Sequence, residues 1–420
     1  MQNLKGIYNM YDLVLENIRL PNQERHHFIG IQNGIIAEIS PYPLQGKAVI
    51  DGCGDLAMPP FVEPHIHLDT AFTAGEPSWN QSGSILEGIL LWNERKQTLT
   101  MEDVYERARK ALNQLMKFGV LYVRAIADIS DERLVALKTL LKLKSDLQDI
   151  IHLQIIAFPQ NGLFSCPENQ KRMLEAIKLG ADGVSAVPHL ERTREEGIES
   201  IRFCFSLAEK YGLFLHFFCD EIDDPQSRFI ETVASLAISS GLEDKVTASH
   251  ACAMAYYPDN YAAKLLDLIA SSKIHIVACP LINTAMQGRY DSYPKGRGIT
   301  RIKEMLQKNI NVCIAHDDIM TPFYPLGNGN ILQAAHMAAH AGHLTGMKEL
   351  EELISMISIN GAKALQINDY GIKVGNEANI ITFPVDHAID LIRLQPHCRY
   401  VIKKGRVLLH TNPMETVFYM

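Results

Sequence analysis

Apolar residues alternate with polar ones at both ends of the chain, and between them short apolar runs alternate with amphipathic stretches. Residues 11–20 and 27–31 are strand-like and are separated by the polar Pro21-Asn22-Gln23-Glu24. Asn33-Gly34 is a strong signal for a two-residue hairpin leading into a third strand at 35–39. At the far end, 378–383 reads as a strand, and 400–402 and 407–409 flank the turn Lys403-Lys404-Gly405. The simplest arrangement is a small β-sandwich domain formed by both termini, residues 1–57 and 375–420.

Residues 58–374 repeat a strand-then-helix unit eight times. The expected strands are 61–68, 120–129, 151–160, 182–189, 213–221, 245–252, 273–280 and 311–318. Segments 101–118, 194–211 and 229–240 carry a helical period. Buried strands alternating with helices imply a parallel sheet. Eight units predict an α/β fold, a (β/α)8 TIM barrel, with its active site at the C-terminal strand ends. An open doubly wound sheet is the alternative, weakened by the lack of a Gly-x-Gly-x-x-Gly turn after an early strand.

Chemistry gathers where these strands finish. Strand one ends in Glu63-Pro64-His65-Ile66-His67-Leu68-Asp69, with two histidines on one face. Gln160 ends strand three, His189 strand four, and Cys219-Asp220-Glu221 strand five. Strand six carries Ser249-His250, and strand eight ends in His316-Asp317-Asp318. Neutral imidazoles and a carboxylate suit a divalent ion. Such an ion makes a hydroxide nucleophile available near neutral pH. Asp317 is suited to ligation and proton acceptance, Glu221 to proton transfer, and His250 to holding the water or a developing oxyanion. Gln160 offers the donor and acceptor needed to read an amide edge. Each also has a structural reading: Asp318 as a cap, Gln160 and His250 as partners of loop backbone, and Glu221 in a solvated loop.

Charge and cysteine content refine the picture. A formal charge of -8 argues against a nucleic-acid surface and for a small-molecule partner. None of the eight cysteines forms a Cys-x-x-Cys pair, and several lie in apolar runs, which predicts reduced buried thiols. No basic start leads into a long apolar run and no stretch reaches a membrane span, so cytoplasmic residence is expected.

Together these segments resemble bacterial cytosine deaminase of the amidohydrolase superfamily. The resemblance runs through residues 59–69, Trp79-Asn80-Gln81-Ser82-Gly83, Ala157-Phe158-Pro159-Gln160, residues 219–224, Val246-Thr247-Ala248-Ser249-His250, Gln287-Gly288-Arg289-Tyr290 and His316-Asp317-Asp318. It implies hydrolytic removal of the exocyclic amine of cytosine or a related pyrimidine-like ring, with one divalent metal ion, iron or zinc, and a tendency to form homo-oligomers. By the same resemblance His65, His67 and Asp317 stand as metal ligands and Glu221 as the proton shuttle. His250 supports the water, while Gln160, Asp318 and Phe323 face the substrate. Phe323 replaces a family tryptophan.

Two further positions depart from that pattern. The family has His-Cys-Asp-Glu on strand five, with the histidine a metal ligand, where this chain has Phe218-Cys219-Asp220-Glu221. Strand two has Ala125-Ile126-Ala127-Asp128 in place of the family's Thr-His-Val-Asp. His216 shares the face of Phe218 one strand repeat lower, about 6–7 Å away, and is a further candidate ligand. The departures keep two alternatives open: a nucleobase-binding paralogue with an impaired metal site, or an aminohydrolase acting on a triazine-type ring.

Overall fold

The computed structural model describes residues 10–23, 25–412 and 417–419. They fall into two compact units. One contains the residues up to Phe61, Met116–Val120, and those from Ile367 on; the other is Val62–Leu115 with Leu121–Gln366.

The larger unit carries the barrel. Its strands are β1 (Phe61–Ile66), β2 (Val120–Asp128), β3 (His152–Phe158), β4 (Gly183–Val184), β5 (Phe214–Cys219), β6 (Val246–His250), β7 (His275–Ala278) and β8 (Val312–Ile314). They form one eight-stranded sheet in sequence order. Parallel ladders link β2 through β8. A parallel bridge between Ile66 and Asp317 joins the two edges. The His67 backbone N–H donates to the Asp317 carbonyl at 3.0 Å. Every residue of β1 and β2 is buried, as expected for parallel strands covered on both faces. The expected (β/α)8 barrel is therefore the observed fold.

Strand four is shorter than its apolar run suggested. Only Gly183–Val184 pair as a strand, and Pro188–Leu190 form a 3-10 turn. Pro188 has no N–H for the ladder, so the chain turns where it enters. The covering helices follow their periodicity: Met101–Lys117 buries Val104, Ala108, Ala111, Leu112 and Leu115 along one stripe. Arg194–Tyr211 starts where the Thr193 side chain accepts from the Glu196 N–H and stops at Gly212, φ 72°.

The smaller unit is a branched sheet of eight strands from both ends of the chain. Met10–Arg19 pairs antiparallel with His26–Gln32 and parallel with Gln45–Asp51. Leu13, Leu15, Ile29, Ile31 and Ile36 share a buried core with Ile380 and Ile402. Asn33 and Gly34 both take positive φ, 52° and 76°, as a type I′ hairpin requires. No helix among the described residues is long and apolar enough to cross a membrane. All eight cysteines are free thiols.

Candidate active site

The strand ends of the barrel bring His65, His67, Gln160, Glu221, His250, Asp317, Asp318 and Phe323 into one region. All but His65 line a single pocket, together with Phe158, Phe218 and Ile282. His65 is fully buried beneath it, with Nε2 3.4 Å from Oδ1 of Asp317. Nε2 of His67 lies 3.8 Å from the same oxygen. His250 and Asp317 both take positive φ, 70° and 74°, which non-glycine residues rarely adopt. Backbone strain of this kind is held at functional sites by the surrounding structure.

Neighbouring groups fix these side chains. Glu63 is buried and ties β1 to β8, accepting from the backbone N–H of His65 at 3.3 Å and of His316 at 2.9 Å. Asp128, at the end of β2, accepts from Trp92 Nε1 at 2.9 Å and from the Gln160 backbone N–H at 3.3 Å. Asp220 accepts from Ser227 Oγ and the N–H groups of Phe229 and Ile230, anchoring the loop that carries Glu221 to the helix Phe229–Ser240. Asn283 points Nδ2 at Oε1 of Glu221, 3.4 Å, and at Nδ1 of His250, 3.2 Å. Gly327 passes so close to the Asp318 carbonyl that a Cβ there would stand 1.9 Å from it, so only glycine fits.

Burial dominates the electrostatics. It lowers the pKa of His67 to about 4 and of His250 to about 3, so both imidazoles are neutral at pH 7. Burial, reinforced by Asp317 and Asp318, pushes the Glu221 carboxyl well above its ordinary range. Asp318 is raised likewise, by burial and then by Asp317. For Asp317, burial opposes ionisation but the imidazoles of His65, His250 and His67 outweigh it.

Several buried polar atoms here lack a hydrogen-bond partner: Nε2 of His65, Nε2 of His250 and both carboxylate oxygens of Asp317. Orphaned buried groups are costly, and an imidazole nitrogen and a carboxylate left unpartnered 3.4 Å apart are the pattern of a cation site. One ligand atom from each of His65, His250, Cys279 and Asp317 lies within 4.8 Å of all the others. These residues fit a divalent metal.

The strand-five departure has a local setting. Phe218 fills space among the histidines, its ring centroid 4.8 Å from His65, 5.7 Å from His67 and 5.2 Å from His250. His216 lies on the far side of His65, Nε2 to Nδ1 2.7 Å, with its other nitrogen 3.5 Å from Arg124 Nη1. Reasoning from sequence overlooked Glu63, Cys279 and Asn283. Glu63 stands inside the opening motif, and Asn283 lies one turn into the helix Pro280–Met286. Cys279 had no signal separating it from the other buried cysteines.

A model of the amidohydrolase family matches residues 48–409. The chain belongs to the amidohydrolase family. This amidohydrolase is 43% identical to a 5-methylcytosine deaminase from Klebsiella pneumoniae, solved with 5-fluorocytosine; the superposition has a TM-score of 0.94 and covers 97% of this chain and 99% of that one. It is 27% identical over 412 residues to N-isopropylammelide isopropyl amidohydrolase of Pseudomonas sp. (strain ADP), covering 95% and 97% of the two chains. Pterin deaminase of Rhizobium rhizogenes is 24% identical, with 92% and 88% covered. An aminohydrolase that acts hydrolytically on ring compounds is what these relationships bear out.

Proposed function

We propose that this amidohydrolase removes the exocyclic amine of cytosine or a closely related pyrimidine, releasing ammonia, with one iron or zinc ion. The observation that carries the reading is the single pocket shared by Gln160, Glu221, His250, Asp317, Asp318 and Phe323. The 43% identity to a 5-methylcytosine deaminase supports the ring class.

His65, His67 and Asp317 would hold the ion. Bound there, a divalent ion supplies Lewis-acid chemistry and lowers the pKa of water toward neutrality. The remaining work belongs to side chains. Asp317 accepts a proton from the attacking water. Glu221 gives a proton to the substrate and takes one back from the attacking oxygen as the amine leaves, so it carries protons between that water and the leaving amine. His250, oriented by Asn283, supports the water and the developing oxyanion. The Gln160 amide reads the ring's donor and acceptor edge, Asp318 contacts the substrate, and Phe323 packs against its face. In this reading His216 orients His65 from behind.

The test is metal analysis of the purified protein, with ammonia release measured over cytosine, 5-methylcytosine and other aminopyrimidines, and alkylamine release measured over N-alkylated triazines. Turnover of a pyrimidine is expected. Turnover of triazines alone would move the substrate to the class of the 27% identical relative. A metal-loaded protein releasing neither ammonia nor alkylamine from any of them would sink the proposal.

A further inference from the structure

We infer that Cys279 is a metal ligand, its thiolate entering the site whose strand-five histidine position is filled by Phe218. This rests on the metal reading above and specifies which of this chain's residues complete the site.

Strand seven, His275–Ala278, finishes at the C-terminal rim of the barrel. Cys279 follows its last residue, Ala278, and precedes Pro280 at the start of the helix Pro280–Met286. Pro280 closes the strand and turns the chain, so the Cys279 side chain is held at the C-terminal rim beside Asp317 of the neighbouring strand end. The residue is fully buried. A ligand atom of Cys279 lies within 4.8 Å of ligand atoms on His65, His250 and Asp317. Zinc bonds of about 2.0–2.3 Å in tetrahedral geometry put neighbouring donors about 3.5 Å apart. A set already inside 4.8 Å needs only small side-chain adjustment to reach that.

The unpartnered atoms supply the second, independent observation. Nε2 of His65 and both oxygens of Asp317 are buried without hydrogen bonds, and that nitrogen stands 3.4 Å from Oδ1 of Asp317. Phe218 cannot contribute a ligand from β5. Cys279 is the remaining donor in the cluster. A soft thiolate beside imidazoles also favours zinc over harder ions.

Two measurements on the full chain test this. In the first, metal-free protein is titrated with Co2+ and followed from the near-ultraviolet to the visible. One equivalent should raise a near-ultraviolet thiolate-to-cobalt charge-transfer band. In Cys279→Ser the band should vanish while visible cobalt bands persist and affinity falls by at least about tenfold, a loss seen even for residues behind a ligand. In Cys252→Ser, a buried cysteine outside the cluster, the band should remain. In the second, X-ray absorption of zinc-loaded wild type should show one sulfur at about 2.3 Å, a result that requires no variant to fold. Cobalt bound without the charge-transfer band, a band that survives Cys279→Ser, or a zinc shell without sulfur would overturn the inference and leave the metal reading standing. No binding of cobalt or zinc would overturn both.

Discussion

Ile126 and Phe218 belong to one buried apolar cluster, with Ile156, Phe158 and Val187 around them. They occupy the two positions at which the chain departs from the histidines of the family it resembles. Both replacements are apolar and mutually packed, and Phe218 stacks on Phe158 with ring centroids 4.3 Å apart. Restoring one polar residue alone should therefore be costly. In metal-free protein, Phe218→His loses the stacking, about 0.5–1.5 kcal/mol, and buries an imidazole nitrogen without a partner, about 1–3 kcal/mol. Metal loading should recover part of that, and Ile126→His with Phe218→His should be less destabilising than the sum of the single changes. Urea midpoints of the four proteins, with and without zinc, check this. Strict additivity would rule out the coupling.

Glu221 should separate chemistry from binding. Glu221→Gln keeps an oxygen to accept from Asn283 Nδ2, which stands 3.4 Å from Oε1, but cannot carry a proton. The expected result is a fall in kcat of about 10²–10⁴-fold, with KM nearly unchanged and metal content intact. A fall in metal content, or a change in KM alone, would assign Glu221 to the site's architecture instead.

His216 should act through His65. When His65 donates from Nδ1 to Nε2 of His216 across 2.7 Å, its own Nε2 keeps a lone pair toward Asp317, the tautomer a ligand needs. His216→Phe removes that preference. Metal affinity should fall about 10–100-fold, the usual cost of losing such a partner. Competition against a chelator measures it. Unchanged affinity would mean that packing alone orients His65.

The barrel was legible because its strands are buried on both faces and so read as continuous apolar runs, each followed by a helical period. The ends of those strands carried most of the candidate site for the same reason: polar residues that interrupt an apolar run at its C-terminal end have one place to go. What sequence could not convey was depth and adjacency. His216 and Phe218 share a face, but only the pleat and the position of β1 decide which meets the cavity and which lies behind His65. Cys279 looked like any buried cysteine until closure of the sheet set the end of β7 beside Asp317. Strand four was overread because apolar Ala186 and Val187 follow Val184, where the ladder ends, and Pro188 then turns the chain.

Acid stability should depend on a histidine far from the chemistry. His275 begins β7; its Nε2 lies 3.3 Å from the Asp244 carbonyl and its Nδ1 2.9 Å from Asn311 Nδ2. A neutral ring satisfies both contacts, donating from Nε2 and accepting at Nδ1. Protonation would set a second N–H against the Asn311 amide. Burial, with Arg124 adding repulsion, lowers its pKa from 6.5 to about 4. Above pH 6.5 the ring is neutral in both folded and unfolded chains and contributes no slope. Between about 6.5 and 4 the unfolded chain binds the extra proton, so stability falls with pH, by about 3 kcal/mol at 1.36 kcal/mol per unit. Below about 4 both states are protonated and this contribution stops changing. His275→Gln removes the titration, so its stability should fall less steeply than wild type across that window. Trp79 and Trp92 both lie in the barrel unit, so their fluorescence reports the barrel's urea midpoint at each pH. Parallel curves for the two proteins would show that His275 carries none of the acid sensitivity.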